Sequence, residues 1–529
     1  MKALHLTGND LTLEDLSEVV YQKRPVLLAP DARTAVERAR AVVNDILASN
    51  KLAYAITTGV GKLSDVRVTP EQSRELQVNL LRSHAVGVGE PLSEAETRAM
   101  ILLRANSLAK GNSGVRPVII DTLCEMLNRG VHPVIPAQGS VGASGDLAPL
   151  SHLALVLIGE GEAWQSTNKK PRRVGDPAAR RVTAMTSLKH AGIKPLVLEA
   201  KEAISLINGT QAMLAVGCLA LLATEVMVDS SDVIAALTLD ALRGTDVAMD
   251  ERIHRARPHA GQIQTAANIR RMLEGSAIRE SHRGPDCKRV QDAYSLRCIP
   301  QVHGAVRDTL THCRKTFEIE MNSAVDNPLV FPAPKQVGEP SNAPVTGDVI
   351  SGGNFHGEPI AFALDFLAIA LSALAGISER RVERLVNPSL NEGLPPFLAG
   401  EAGLHSGFMM VQVTAAALAS ENKVLAHPSS VDSITTSGNK EDYVSMGMAA
   451  AVKLKKVIDN TRYVVAIEAM AAAQAVDFLK PLKPSKRGQM AYEAIREVSP
   501  MVIKDRILSG DIARVAEVIA SGRVAVALK

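Results

Sequence analysis

Hydrophobic positions crowd four long stretches of the chain: Glu199 to Asp229, Pro359 to Arg384, Gly407 to Ala426 and Val444 to Leu479. Each is rich in Ala, Leu and Met, which favour helix. Several are apolar nearly all round instead of along one stripe, and such helices are buried on most faces. The pattern predicts a mainly α protein built on a long central helical bundle. A clear helix start lies further upstream. Ser93-Glu-Ala-Glu96 reads as a capping box before an apolar run through Leu103 and Leu108, and Lys110-Gly111 stops that run. Strand signals are few and short, Arg181-Val-Thr-Ala184 among them. Glycine and proline clusters mark loops near residues 57–62, 136–149, 332–358 and 393–400. The patterning divides the chain into a loop-rich N-terminal part (1–200), a central bundle (201–480) and a C-terminal helical segment (481–529).

Two of the apolar runs raise the question of a membrane. "QAMLAVGCLALLATEVMV" from Gln211 and "PIAFALDFLAIALSALAGI" from Pro359 carry Glu225 and Asp365. A carboxylate in mid-span is expensive in lipid, so both read as helices buried in protein, and no membrane partner is expected. Met-Lys-Ala-Leu-His-Leu at the start carries no cleavage signal. The 529 residues are 46% hydrophobic and 22% charged, the composition of an ordinary folded protein. A net charge of +3 argues against a nucleic-acid partner. The basic run Lys169-Lys-Pro-Arg-Arg173 reads as a solvated loop. Five cysteines (Cys124, Cys218, Cys287, Cys298, Cys313) are odd in number and lack paired spacing. They fit reduced thiols in a cytoplasmic protein.

Most familiar chemistries find no support. There is no Walker A loop, and no GxGxxG follows a strand. Thirteen histidines show neither HExxH nor HxxxH spacing, so no metal is expected. A nucleophile elbow needs GxSxG, but Gly142-Ala-Ser-Gly-Asp146 has Asp at the last position. Ser437-Gly-Asn-Lys440 matches SxxK, a pattern too common to carry weight. The stretch "GSVGASGDLAPLSH", Gly139 to His152, packs glycines and serines around one Asp. Its Ala-Ser-Gly suits a backbone that reacts with itself. The glycine nitrogen attacks the alanine carbonyl, and loss of two waters leaves a methylidene-imidazolone. Glycine leaves its nitrogen unobstructed, serine carries the oxygen to be eliminated, and alanine adds little bulk. The tripeptide occurs twice, as Ala143-Ser144-Gly145 and as Ala520-Ser521-Gly522. The second follows a helix pattern and reads as a helix stop. The first has flanking glycines and Asp146.

Further motifs follow in a fixed order: "AYAITTGVGKL" around Tyr54, "RSHAVGVGEPL" around His84, "SLINGTQ" around Asn208, "QDAYSLRCIPQVHG" from Gln291, "SAVDNPL" from Ser323, "GGNFHGEP" around Phe355 and "NKEDYVSMG" from Asn439. From about residue 45 to about residue 480 the chain resembles the aromatic amino acid ammonia-lyase family. The resemblance implies a helical bundle of the fumarase/aspartase-like type. It implies a prosthetic 4-methylidene-imidazol-5-one formed from Ala143-Ser144-Gly145, with no soluble cofactor. It assigns Tyr54 as the base that takes the substrate's β-proton and Asn208 as a donor to the ring carbonyl. Arg297 would bind the substrate carboxylate, and Gln291 and Tyr294 would hydrogen-bond the ring or the substrate. His84 and Glu441 would hold the substrate side chain, and Phe355 would wall the pocket. Asn354 and His356 receive no role. Members are homotetramers that share active sites between subunits. Isolated carboxylates in apolar helices, Glu421 and Glu468, fit such an assembly if a packed subunit core pairs them.

Glu441 bears on the substrate. Phenylalanine- and tyrosine-specific members usually carry Asn-Gln-Asp where this chain has Asn439-Lys440-Glu441, and the Glu resembles histidine-specific members. A carboxylate can accept an imidazole N–H or stabilise its cation. The expectation is deamination of L-histidine to trans-urocanate and ammonia. Phenylalanine or tyrosine ammonia-lyase, or an aminomutase using the same prosthetic group, is the alternative. Departures from the family pattern fall at Ala55, Thr57, Val60, Lys440 and Tyr443.

Overall fold

A computed structural model describes residues 1–49, 51–165, 180–284, 290–334 and 345–529. The basic run Lys169 to Arg173, Cys287 and the middle of the Pro332–Pro359 segment lie outside the described residues. Among the described residues, nineteen α-helices carry the fold and every strand is short.

Three of the four long predicted helices stand close to their predicted limits, at Glu358–Val386, Met409–Leu425 and Gly447–Phe478. The fourth does not. The stretch predicted from Glu199 to Asp229 is broken. A short helix, Glu202–Ile207, ends at Asn208, whose backbone is extended. Gly209 then takes φ +149°, and a second helix runs as Gln211–Ala241. Apolar periodicity hides the break because it costs three positions. The Ser93 capping box forms as expected. Glu96 N donates to Ser93 Oγ at 3.2 Å, and Ser93 N donates to Glu96 Oε2 at 2.7 Å. Arg180–Thr183 is a strand, paired antiparallel with Glu162–Gln165.

The chain falls into two compact units that interleave along the sequence. The first comprises Met1–Leu219, Arg314–Leu364 and Pro428–Val452. Its helix Glu94–Ala109 is buried along nearly its whole length. A small apolar core of Ala39, Val42, Val43, Ile46, Ile56 and Val330 underlies the tyrosine loop. Strand Val88–Pro91 pairs antiparallel with Pro136–Gln138. That pairing delivers the chain into the glycine-rich loop, and helix Leu147–Leu157 follows it. A hairpin of Leu329–Pro332 and Gly347–Ile350 leads into the Ser351–His356 turn. The turn is ordered, as its composition predicts: Gly352 N donates to Asn327 Oδ1 at 2.8 Å, and His356 N donates to Gly353 O.

The second unit comprises Ala220–Cys313, Asp365–His427 and Lys453–Lys529. Its buried carboxylates are paired within the chain. Glu468 accepts Arg381 through Nε at 2.6 Å and Nη2 at 2.8 Å, and also the hydroxyls of Ser378 and Thr238. Glu421, by contrast, is exposed, and accepts Asn460 Nδ2 at 2.7 Å. Glu468 is thus paired within its own unit, so its isolation along the sequence does not by itself call for a partner subunit, whereas Glu421 stays exposed. Asp232 accepts His303 Nδ1 at 2.8 Å, Arg307 Nη2 at 2.6 Å and Asn268 Nδ2 at 2.8 Å. Burial depresses the His303 pKa, against the opposing pull of Asp232. Asp365 pairs with Lys453 Nζ at 2.6 Å. Gln211–Ala241 and Glu358–Val386 are long and apolar enough to span a membrane, but the most apolar part of each is mostly buried in protein. The second Ala-Ser-Gly closes helix Ser509–Ala520, with Gly522 N donating to Ile519 O at φ +76°. It is the helix stop its position predicts.

Candidate active site

Backbone contacts from three distant segments shape the glycine-rich loop. Gly145 takes φ +71° and pairs with Gly209, and Asp146 N donates to Gly209 O at 2.7 Å. A Cβ on Gly145 would lie 2.2 Å from Gly209 O, so no other residue fits. Gly357 N donates to Gly142 O, and Met446 N donates to Val141 O at 2.8 Å. Ser445 Oγ also reaches Gly142 O, at 3.1 Å. Asp146 is fully buried at the N-terminus of helix Gln211–Ala241. Its carboxylate accepts Ser140 Oγ and Met213 N, both at 2.8 Å. Burial pushes its pKa up to about 6, opposed by hydrogen bonds from Met213 N, Ser140 and Ala212 N.

Ser144 is the centre of the arrangement. Its carbonyl oxygen accepts Asn208 Nδ2 at 2.7 Å, and its hydroxyl donates to Glu441 Oε1 at 2.6 Å. Thr436 Oγ1 donates to the other oxygen of Glu441 at 2.7 Å. The chain reaches Glu441 through three consecutive left-handed residues, Ser437, Gly438 and Asn439. The tyrosine loop lies against this turn: a Cβ on Gly61 would be 3.6 Å from Ser437 Oγ. The Tyr54 hydroxyl accepts Gly61 N at 3.0 Å. Two of the family departures build this loop. Thr57 Oγ1 accepts Ala53 N and donates to Lys51 O, both at 2.9 Å, and Ala55 takes φ +57°.

Other expected residues stand nearby in sequence and make local contacts. His84 ends helix Pro70–His84, and its Nδ1 meets Leu80 O at 2.8 Å. Donation to that carbonyl makes Nε2 the acceptor of the neutral ring. Phe355 is half-buried in its turn. Asn354 Nδ2 donates to Ala324 O. The His356 ring stacks on Tyr443 with centroids 6.0 Å apart, and its Nε2 lies 3.3 Å from Tyr443 O. Burial raises the Glu358 pKa, with His356 opposing. Gln291, Tyr294 and Arg297 belong to the second unit. Arg297 Nη1 donates to Gln291 Oε1 at 2.5 Å, and its guanidinium sits 4.6 Å from the Tyr294 ring centre. Among the described residues no cluster of three His, Cys, Asp or Glu is placed to hold a metal.

Two residues escaped sequence reasoning. Thr436 carries no sequence signal. Arg104 does: a cation inside the largely apolar run "MILLRANSLA" needs partners once its helix is buried. It is fully buried and donates through Nη1 to Ser205 O at 2.9 Å and to Asn208 O at 2.7 Å, and through Nη2 to Asn208 O at 3.1 Å.

An Ala-Ser-Gly loop held by glycines, with its serine between an amide donor and a carboxylate, agrees with the family match. Residues 11–497 fit the family model for aromatic amino acid lyases, and the chain belongs to that family. The family consists of helical carbon–nitrogen lyases and aminomutases built around a methylidene-imidazolone. The chain is 69% identical to a histidine ammonia-lyase of Koribacter versatilis (strain Ellin345) over 529 residues, covering 100% of both. It is 51% identical to one of Anaeromyxobacter sp. (strain K) over 522 residues, covering 99% of both. Among solved structures, histidine ammonia-lyase from Trypanosoma cruzi superposes with TM-score 0.88 at 40% identity, covering 100% of this chain and 95% of that one. Tyrosine aminomutase from Streptomyces globisporus superposes with TM-score 0.89 at 38% identity, covering 99% and 98%.

Proposed function

We propose that this chain converts L-histidine to trans-urocanate and ammonia, using a methylidene-imidazolone closed from Ala143-Ser144-Gly145. The observation that carries the reading is the position of Ser144 between Asn208 and Glu441. The loop fits the ring. Gly145 has no room for a side chain, and the serine carbonyl that would become the ring carbonyl already accepts the Asn208 amide. When formed, the ring supplies an alkene conjugated to a carbonyl, which captures the substrate amine.

The remaining roles fall to the chain's own side chains. Asn208 stabilises charge on the ring carbonyl oxygen. Tyr54, held by Gly61 N–H, takes the β-proton at its phenolic oxygen. Glu441 touches the side chain whose Cβ becomes the electrophilic carbon, so a substrate drawn there meets a carboxylate. An imidazole N–H or cation satisfies that carboxylate, and a phenyl ring would leave it desolvated. His84 assists in holding the imidazole, and Phe355 walls the pocket. Arg297 binds the substrate carboxylate, with Gln291 and Tyr294 as hydrogen-bonding partners.

Assembly as a homotetramer with shared sites accompanies this reading. It is supported by the 70% exposure of Tyr294, high for a residue assigned to a binding site. The thiols of Cys124, Cys218, Cys298 and Cys313, none in a disulfide among the described residues, suit a cytoplasmic enzyme. The test is an intact mass together with a substrate panel. The expected results are a chain lighter than its sequence by two waters and urocanate from L-histidine. Turnover of L-tyrosine or L-phenylalanine with none of L-histidine would overturn the substrate assignment, and a β-amino acid product would reassign the chain as an aminomutase.

A further inference from the structure

Behind the loop lies a buried cluster in which cations outnumber carboxylates. Arg104, Lys201 and Asp326 are all essentially inaccessible to solvent. Lys201 Nζ donates to Asp326 Oδ2 at 3.2 Å and to Ser205 Oγ at 2.9 Å. Among the described residues, Arg104 has no carboxylate in hydrogen-bonding contact; its guanidinium donates to the backbone carbonyls of Ser205 and Asn208. Burial lowers its pKa to about 10, with Asp326 opposing, so it stays charged at neutral pH. These carbonyls close the short helix Glu202–Ile207, whose early end puts Asn208 and Gly209 against the loop. From there the Asn208 side chain reaches Ser144 O, and Gly209 O accepts Asp146 N. The fit is tight on the other side as well: a Cβ on Gly209 would lie 2.6 Å from Arg104 Nη2.

We propose that Arg104 is a positioning residue for the reaction: its guanidinium clamps the Asn208–Gly209 strap so that the Asn208 amide points at the Ser144 carbonyl. A buried cation bonded to the strap's carbonyl also places positive charge behind the oxygen that gains electron density when a nucleophile adds to the conjugated alkene. The inference rests on the ring proposed above, and it concerns how the chain tunes that ring.

Cyanide tests it without turnover. Its carbon bonds to the methylidene carbon, the alkene pair shifts toward the carbonyl oxygen that Asn208 contacts, and a proton from water completes the product. The chain gains the mass of one hydrogen cyanide, and the rate of that gain is measured on full-length enzyme. Wild type without the two-water deficit would refute the ring itself, a result separate from everything below. With the ring present, Arg104→Lys should keep native helix content but slow addition by about tenfold or more, the scale of one charge-assisted hydrogen bond. Asn208→Ala should slow it similarly, and the double variant should be little slower than either single one, because both act through one contact. A folded Arg104→Lys chain that fails to form the ring also supports the clamp. Wild-type ring content and addition rate in Arg104→Lys would overturn it, as would strictly additive losses in the double variant. If Arg104→Lys does not fold, Arg104→Gln decides. Its amide keeps one donor for Asn208 O but loses the fork and the charge, so loss of ring or of addition rate in folded chains supports the proposal and wild-type behaviour overturns it.

Discussion

Two buried charge clusters show opposite uses of the same materials. In the second unit, Asp232 and Glu468 face Arg307 and Arg381, each carboxylate accepts at least three hydrogen bonds, and His303 is kept toward its neutral form. Every charge there meets an opposite one, Arg307 also lying 2.8 Å from the half-buried Asp229, which is the condition under which buried ions hold a scaffold together. In the first unit, Arg104 and Lys201 share the charge of Asp326, and Arg104 spends its hydrogen bonds on the backbone carbonyls of Ser205 and of Asn208, whose side chain reaches Ser144. Mutual pairing serves rigidity, and a surplus cation leaves a directed field beside Ser144.

The sharpest break of this comparison removes the chemistry and spares the scaffold. Ser144→Ala should abolish activity and restore the two missing waters in the mass, with the urea midpoint unchanged. Ser521→Ala should alter none of these. The reverse experiment is Glu468→Ala, which strands Arg381. A stranded buried charge costs about 3–5 kcal/mol, read as a lower urea midpoint, while chains that remain folded keep the two-water deficit. Loss of the ring in folded Glu468→Ala chains would show that the balanced cluster also serves the chemistry. Next in size is Tyr54→Phe. Turnover should fall by about 10²-fold or more, the scale of an acid–base group, with ring content and midpoint retained. The smallest expected effect separates substrates. Glu441→Gln should slow L-histidine by roughly ten- to a hundredfold, the cost of a charge-assisted hydrogen bond, and L-phenylalanine far less. The deficit should vary with pH through the imidazole's own titration near about 6.5. Equal losses on both substrates would detach Glu441 from imidazole recognition.

Much of this was legible in the chain itself. The loop motifs, three of the four long helices and the closeness of Asn208 to the Ala-Ser-Gly loop follow from spacing and from the family resemblance. Local signals also separated the two Ala-Ser-Gly copies, because one follows a helix and the other sits among glycines. Tertiary partners were hidden. Nothing in the 199–229 periodicity reveals that Asn208 and Gly209 leave the helix to meet Gly145. Glu468 looks isolated along the sequence because Arg381, Ser378 and Thr238 reach it from other helices. Arg104 was visible as a cation in an apolar helix, but its targets are backbone carbonyls, which every residue has and no sequence marks.

The glycine-rich loop also sets a timetable for making the enzyme. Its backbone partners are Gly209, Gly357 and Met446, and the last is synthesised some three hundred residues after the loop leaves the ribosome's decoding centre. At about 5–20 residues per second, translation needs roughly 15 to 60 seconds to cover that distance. The ring closure proposed above, drawing on those contacts, would therefore wait for nearly the whole chain. A nascent or truncated polypeptide ending before Met446 would carry the unreacted serine, and the electrophile would arise only on a molecule already folded around it.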